Sequence, residues 1–191
     1  VVAAFLRFGA AALLALLAAC STVPERYAVP AVAREALQSF QIEGRFSLRY
    51  EQASYSGKIA WRHAPEGDDI FLMNPFGQGA AEISRRPGVA RLVTADQKEF
   101  QAADADQLVA DVLGYPLPVA GMGEWLLARA TPAGAAERDG AGRLLRLQEA
   151  GWSIDYDYGD NPSPQALPVR LTARRGEALE LKLRIDDWSA Q

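Results

Sequence analysis

From Ile42 onward the chain alternates apolar and polar residues with a period of two. Ile42, Gly44, Phe46, Leu48 and Tyr50 alternate with Glu43, Arg45, Ser47 and Arg49. Tyr55, Gly57, Ile59, Trp61 and His63 then alternate with Ser56, Lys58, Ala60 and Arg62. Neighbouring side chains of a strand point to opposite faces, so this pattern predicts half-buried strands with a wet outer face. Ile70 to Met73 is a continuous apolar strand. Shorter strands follow at Ala80 to Arg86, Val89 to Thr94 and Glu99 to Ala102, separated by turn residues at Arg86-Pro87-Gly88 and Asp96-Gln97-Lys98. The alternation returns at Leu145 and Leu147, at Trp152, Ile154, Tyr156 and Tyr158, at Leu167, Val169 and Leu171, and at Leu179, Leu181, Leu183 and Ile185.

One helical interlude interrupts the strands. Asp104 is placed to cap a helix ending near Leu113, with Leu108, Val109, Val112 and Leu113 on one stripe and Gly114 as its stop. Tyr115-Pro116-Leu117-Pro118-Val119 is a stiff apolar connector. Gly121 to Ala130 carries a second short helix with Met122, Trp125 and Leu126, and another short helix is expected over residues 31–40. About ten strands with short connections imply a mainly β (α+β) fold: one strongly curved antiparallel sheet, its concave apolar face covered by helices.

The N-terminal segment reads differently. A single charge, Arg7, precedes an apolar run from Ala10 to Ala19, too short to span a bilayer comfortably and suited to a signal peptide. Small residues lead into the only cysteine, Leu16-Leu17-Ala18-Ala19-Cys20-Ser21. A thiol at that point is the nucleophile that diacylglyceryl transfer needs. Residues 1–19 are therefore expected to be cleaved, 20–33 to form a lipidated tether containing Pro24 and Pro30, and 34–191 to form a single domain. One acyl chain anchors marginally, whereas two or more hold firmly. A lone cysteine leaves no intramolecular disulfide within this sequence.

The chain carries 20 Lys and Arg against 24 Asp and Glu, a net charge of −4 that becomes −5 when Arg7 is lost. Mild acidity with dispersed charge argues against nucleic acid as a partner and against electrostatic adsorption to anionic lipid. Membrane contact beyond the anchor must be hydrophobic. The single histidine, His63, ends a strand. Without a second histidine or another cysteine a zinc site is not expected, and no Gly-x-Ser-x-Gly elbow accompanies it. Asp155 with Asp157, and Asp186 with Asp187, read as solvated strand residues. Gly77 and Gly79 open no helix, so they are not a phosphate loop.

Two features remain. Asn74-Pro75-Phe76-Gly77 lies between two strands, and turn chemistry accounts for its Asn, Pro and Gly. It does not account for Phe76, which either folds back onto the core or projects in search of an apolar partner. The second feature is the amount of apolar surface on one face of the sheet. Phe46, Leu48, Ile59, Trp61, Trp125, Trp152 and Tyr156 either fill an ordinary core, with Trp188, or line a cavity that admits acyl chains.

Several segments together resemble the LolB family of outer-membrane lipoproteins. They are the lipobox at Cys20, Gly44-Arg45-Phe46-Ser47-Leu48-Arg49-Tyr50, Tyr55-Ser56-Gly57-Lys58-Ile59-Ala60-Trp61 and Leu72-Met73-Asn74-Pro75-Phe76-Gly77. Ala103-Asp104-Ala105-Asp106, Gly114-Tyr115-Pro116-Leu117-Pro118-Val119 and Ile185-Asp186-Asp187-Trp188 continue the match nearly to the C-terminus. The resemblance implies an unclosed half-barrel of eleven antiparallel strands with helices plugging its opening. It implies a receptor on the periplasmic face of the outer membrane, not an enzyme, that takes acylated lipoproteins from the carrier LolA and inserts them into the inner leaflet.

It further implies that Asn74, Pro75, Phe76 and Gly77 form a protruding membrane-insertion loop with Phe76 as its exposed hydrophobic residue. The seven apolar residues named above would be the acyl-cavity candidates. Ser21 fits outer-membrane sorting, where Asp usually signals retention. LolA shares the fold but lacks the anchor and this loop. The expected partners are thus a LolA-type carrier, acylated cargo and outer-membrane phospholipid, with the protein acting as a monomer. No cofactor is expected beyond the covalent lipid on Cys20, and no metal. Ala133 to Gly142 and Gly159 to Gln165 depart most from the family pattern. Two rival readings stay in view: a scaffolding lipoprotein with a filled core, and a lipid hydrolase using His63.

Overall fold

The computed structural model describes residues 33–190; Cys20 and nearly all of the expected tether lie outside the described residues. The strands are β1 (Phe40–Tyr50), β2 (Ala53–Ala64), β3 (Gly67–Met73), β4 (Gly79–Arg86), β5 (Val89–Thr94) and β6 (Glu99–Ala102), followed by helices α1 (Ala105–Leu113) and α2 (Val119–Leu126). After the helices come β7 (Ala135–Arg138), β8 (Leu144–Glu149), β9 (Trp152–Asp157), β10 (Arg170–Arg175) and β11 (Leu179–Ala190). They form one antiparallel sheet of 11 strands in the order β6-β5-β4-β3-β2-β1-β11-β10-β9-β8-β7. Each half is a meander. The first and last strands meet in the middle, Phe40 opposite Ala190 and Tyr50 opposite Leu179, while β6 and β7 are edges, so the half-barrel is unclosed.

The alternating residues go where their period sends them. Ile42, Leu48, Ile59, Trp61, Ile70, Ile83 and Leu92 are buried on one side of the sheet, as are Ile154, Leu171, Leu181, Leu183 and Ile185 in the other half. The outer face is laced with ion pairs. Asp155 meets Arg146 and Arg174, Asp157 meets Arg170, and Asp186 meets Arg45, each at 2.6–2.7 Å. Such exposed pairs contribute at most about 1 kcal/mol each, which fits the solvated role expected of these aspartates. Gly57 is required by close packing: a Cβ there would collide with the Met73 carbonyl on the neighbouring strand.

Helix α1 is bounded as its sequence predicts. Asp104 accepts the Gln107 N–H at 2.8 Å, and Gly114 ends the helix in the left-handed region at φ 80°. It buries Ala105, Leu108 and Val109 and packs on β5, β6 and α2. Asp106 ties the two helices, accepting the Ala120 N–H at 2.9 Å near the start of α2. Burial raises the Asp106 carboxyl above its usual value despite that bond.

Five expectations need correction. The helix expected over 31–40 is, within the described residues, a 3-10 turn at Arg34–Ala36 followed by extended chain, because Leu37 and Phe40 reach the core without helical spacing. The second helix begins at Val119, directly after Pro118, and ends at Leu126 rather than running from 121 to 130. In β8 the inward residues are Leu144 and Leu147, with Leu145 exposed, because a register shift against β7 inserts an extra residue. Leu167 and Val169 are buried but precede β10. The last strand continues past Ile185 to Ala190, since a bulge opposite Glu43 and Gly44 turns Asp186 and Asp187 outward together.

Candidate functional site

A cavity of about 250 Å3 lies between the concave face and the two helices. Strand alternation brings Phe46, Leu48, Ile59 and Trp61 to its wall, and β3, β4 and β11 add Ile70, Leu72, Ile83, Leu181 and Leu183. The helices close it with Val109, Leu113, Val119 and Met122. Among the described residues no charged side chain lines it. At its rim the connector residue Tyr115 meets Tyr50 and Tyr55, with ring centroids 5.6 and 5.2 Å apart. Burial and the neighbouring Tyr55 hydroxyl push the Tyr115 phenol well above its ordinary range.

Trp125, Trp152 and Tyr156 do not line this cavity. They pack in the β9 half of the interior, Trp125 tilted against Trp152 at 5.4 Å and donating its indole N–H to Glu149 at 2.7 Å. Alternation assigns a residue to the concave face, but not to a position along it. Period-two reasoning also passes over the helix and connector residues Val109, Leu113, Leu117 and Met122. Their apolar stripe was the available signal.

Trp61 is held by a buried network. Asp68, 1% exposed, accepts the Trp61 indole N–H at 2.9 Å, and the same Oδ1 lies 2.6 Å from His63 Nδ1. Arg85 donates its Nε–H to Oδ2 at 2.6 Å. Burial alone would raise this carboxyl, but the bonds from His63, Trp61 and Arg85 outweigh it and hold it below the usual carboxylate range. His63 stacks on Phe40, ring centroids 4.9 Å apart, beneath Gly123 of α2, where a Cβ would lie 3.1 Å from the imidazole. Its surroundings are those of a structural histidine bonded to a carboxylate. Asp68 was missed in the sequence because a charged residue at a strand start carries no periodic signal.

The loop between β3 and β4 presents Phe76 at its tip, 90% exposed. Asn74 builds the loop around its own side chain: Oδ1 accepts the N–H groups of Phe76 and Gln78, both at 3.0 Å, and Nδ2 donates to Gln78 Oε1 at 2.8 Å. Backbone bonds from Gly77 to Asn74 and from Asn74 to Gln78, each 2.9 Å, close it. Gly77 takes the positive φ of 86° that the turn requires. Pro75 and Gly77 are exposed beside Phe76.

Among the described residues no group of three or more His, Cys, Asp or Glu side chains could hold a metal ion, and no helix is long and apolar enough to cross a membrane.

Comparison with known proteins gives a consistent answer. The crystal structure of a LolA superfamily protein from Nitrosomonas europaea superposes with a TM-score of 0.51 over 82% of this chain and 89% of that one, at 12% identity, which speaks to the fold. The outer-membrane lipoprotein LolB of Dechloromonas aromatica is 40% identical over 190 residues, covering 96% of this chain and 97% of that protein. The LolB of Azoarcus sp. (strain BH72) is 38% identical over 177 residues, covering 91% and 90%. The family profile described as outer membrane lipoprotein LolB matches residues 38–188. With an unclosed sheet, a helix-covered apolar cavity and a projecting aromatic loop already in place, these matches settle the assignment: the chain belongs to the LolB family of outer-membrane lipoproteins.

Proposed function

We propose that this protein, lipid-anchored at Cys20 on the periplasmic face of the outer membrane, accepts acylated lipoproteins from a LolA-type carrier and inserts them into that membrane. Family membership gives it a role in lipoprotein localisation. The observation that carries the finer reading is an apolar cavity beneath two short helices, paired with a fully projecting Phe76 on a stiff loop.

Exposing three acyl chains to water costs on the order of tens of kcal/mol at about 25 cal/mol per Å2. Transfer therefore runs from cavity mouth to cavity mouth, as a monomer facing the carrier. No covalent step or nucleotide is needed, and no cofactor beyond the anchor takes part: each tenfold bias between the two cavities requires about 1.4 kcal/mol of better binding. The volume of about 250 Å3 falls below the about 300–1,000 Å3 of pockets that hold drug-sized ligands. Receipt of cargo thus requires α1 and α2 to lift. Phe76, entering the phospholipid surface, brings the loaded protein against the bilayer, where release of the chains is downhill.

The test uses the Cys20→Ala protein mixed with carrier that holds an acylated lipoprotein, with the cargo followed by pull-down. Cargo moving onto this protein without nucleotide is expected. Cargo remaining on the carrier, with the receptor folded, would overturn the proposal in favour of a scaffolding lipoprotein.

A further inference from the structure

The two halves of the interior differ in chemistry. On the β1–β4 side the wall is apolar, whereas on the β9 side buried polar atoms collect without partners among the described residues. Arg34, in the 3-10 turn before β1, is 4% exposed. Its Nη2 donates to Glu35 Oε1 at 3.1 Å, but Nε and Nη1 are buried and donate to nothing among the described residues. Tyr156, on the buried register of β9 with Trp152 and Ile154, also has a buried hydroxyl that bonds nothing among the described residues. The Arg129 Nε is a fourth such atom.

These groups are neighbours. Arg129 donates from Nη2 to the Arg34 carbonyl at 2.7 Å and also to the Leu37 carbonyl. The Arg34 charge acts on the Tyr156 and Tyr158 phenols. Tyr158 shows the contrast, because its hydroxyl donates to the Leu144 carbonyl at 3.0 Å.

Folded proteins pair nearly all their buried polar atoms, and an orphaned buried donor carries its desolvation cost for as long as it stays unpaired. Four orphaned atoms on three neighbouring side chains, three of them guanidinium nitrogens, suit an incoming group rich in acceptor oxygens. Acylated cargo carries such a group. Its chains end in ester and amide carbonyls at the cysteine, and these lose their water when the chains enter an apolar cavity. Glu35 already occupies one edge of the Arg34 guanidinium, which favours a neutral carbonyl over a phosphate.

We propose that Arg34 and Tyr156 form a subsite for the carbonyl oxygens at the head of the acylated cargo, so that the receptor reads the acyl linkage as well as the hydrocarbon. This rests on the acyl-cargo reading above.

The test measures displacement of a fluorescent fatty-acid probe from the full chain carrying Cys20→Ala. The competitors are two synthetic lipopeptides with the same chains joined to glyceryl-cysteine by ester or by ether bonds. The expected result is a preference for the ester peptide of about tenfold, equivalent to about 1.4 kcal/mol. Arg34→Met and Tyr156→Phe should each bring the preference near unity and leave affinity for the ether peptide unchanged. Tyr156→Phe removes an oxygen that bonds nothing among the described residues, so it keeps the comparison available if Arg34→Met fails to fold.

A wild-type protein that binds both peptides equally, or a preference that survives Tyr156→Phe, would overturn the subsite and leave the cargo reading standing. Binding neither peptide would overturn the cargo reading itself. A Tyr156-dependent preference for phosphatidylethanolamine over diacylglycerol, without ester selectivity, would place a phosphate there instead and overturn the carbonyl assignment.

Discussion

Trp61 and Asp68 are joined by a hydrogen bond of 2.9 Å from the indole N–H to Oδ1, which ties the cavity wall to a buried carboxylate. His63 and Arg85 reach the same carboxylate, and His63 lies under α2 at Gly123. Wall, carboxylate, imidazole and covering helix thus form one chain of contacts.

Asp68→Ala should destabilise the protein by about 1–3 kcal/mol, because it takes the acceptor from the buried Trp61 indole N–H and from the half-buried Arg85. Urea unfolding at neutral pH measures this. The folded carboxyl titrates below its unfolded value near 3.9. Its contribution is therefore complete above that value and is lost as pH falls through the lower folded value. The gap in urea midpoint between wild type and Asp68→Asn should narrow steadily over that acid range. A gap independent of pH would show that Asp68 stabilises by packing rather than as a carboxylate.

Phe76→Glu should leave stability within about 0.5 kcal/mol, since the side chain is 90% exposed. Cargo receipt should persist while delivery into phospholipid vesicles falls to background. Vesicle flotation after transfer from the carrier separates these steps, and normal delivery by this variant would exclude the loop from insertion.

Asn74→Ala removes the acceptor that gathers the Phe76 and Gln78 N–H groups. Each lost bond is worth about 0.5–1.5 kcal/mol. Amide exchange at Phe76 and Gln78 should accelerate, and vesicle delivery should drop several-fold with affinity for an acyl probe unchanged. Delivery at the wild-type rate would mean that the tip residue works without a fixed loop.

Ala81→Trp places an indole in the cavity from β4. Because the space is already empty, the stability cost should stay within about 1.5 kcal/mol, while affinity for a fatty-acid probe falls at least about tenfold. Titration of the probe decides; undiminished binding would locate the acyl site elsewhere.

Gly123→Leu thrusts a side chain into the His63 ring beneath α2. Overpacking of this kind costs about 1–3 kcal/mol. The strain falls on the cover rather than the sheet, so uptake of the acyl probe should become faster in stopped-flow mixing. Slower uptake would show that α2 does not gate the cavity.

Much of this architecture is legible in the sequence because most strands bury one face and wet the other, as with Ile59 and Trp61 against Lys58 and Arg62. Strand β7 is not legible: Ala135, Ala136, Glu137 and Arg138 are all exposed, so no face is apolar enough to mark it. Bulges defeat the reading in a different way. One extra residue at Leu145, and another at Asp186, breaks the period while the strand continues. The cavity is half legible. Register puts Phe46 and Trp152 on the same concave side, but helix placement decides that one borders empty space and the other touches Trp125. Phe76 stood out because turn chemistry explained every neighbour except it.

The edges at β6 and β7, unpaired among the described residues, bear on how the proposed cargo, whatever its bulk, would be held. A barrel bonded all the way round has its circumference fixed by strand number and stagger, and widening it means breaking a ladder. Among the described residues no ladder joins the two rims, so the sheet can flex like an open hand and keep every interstrand bond while its opening changes size.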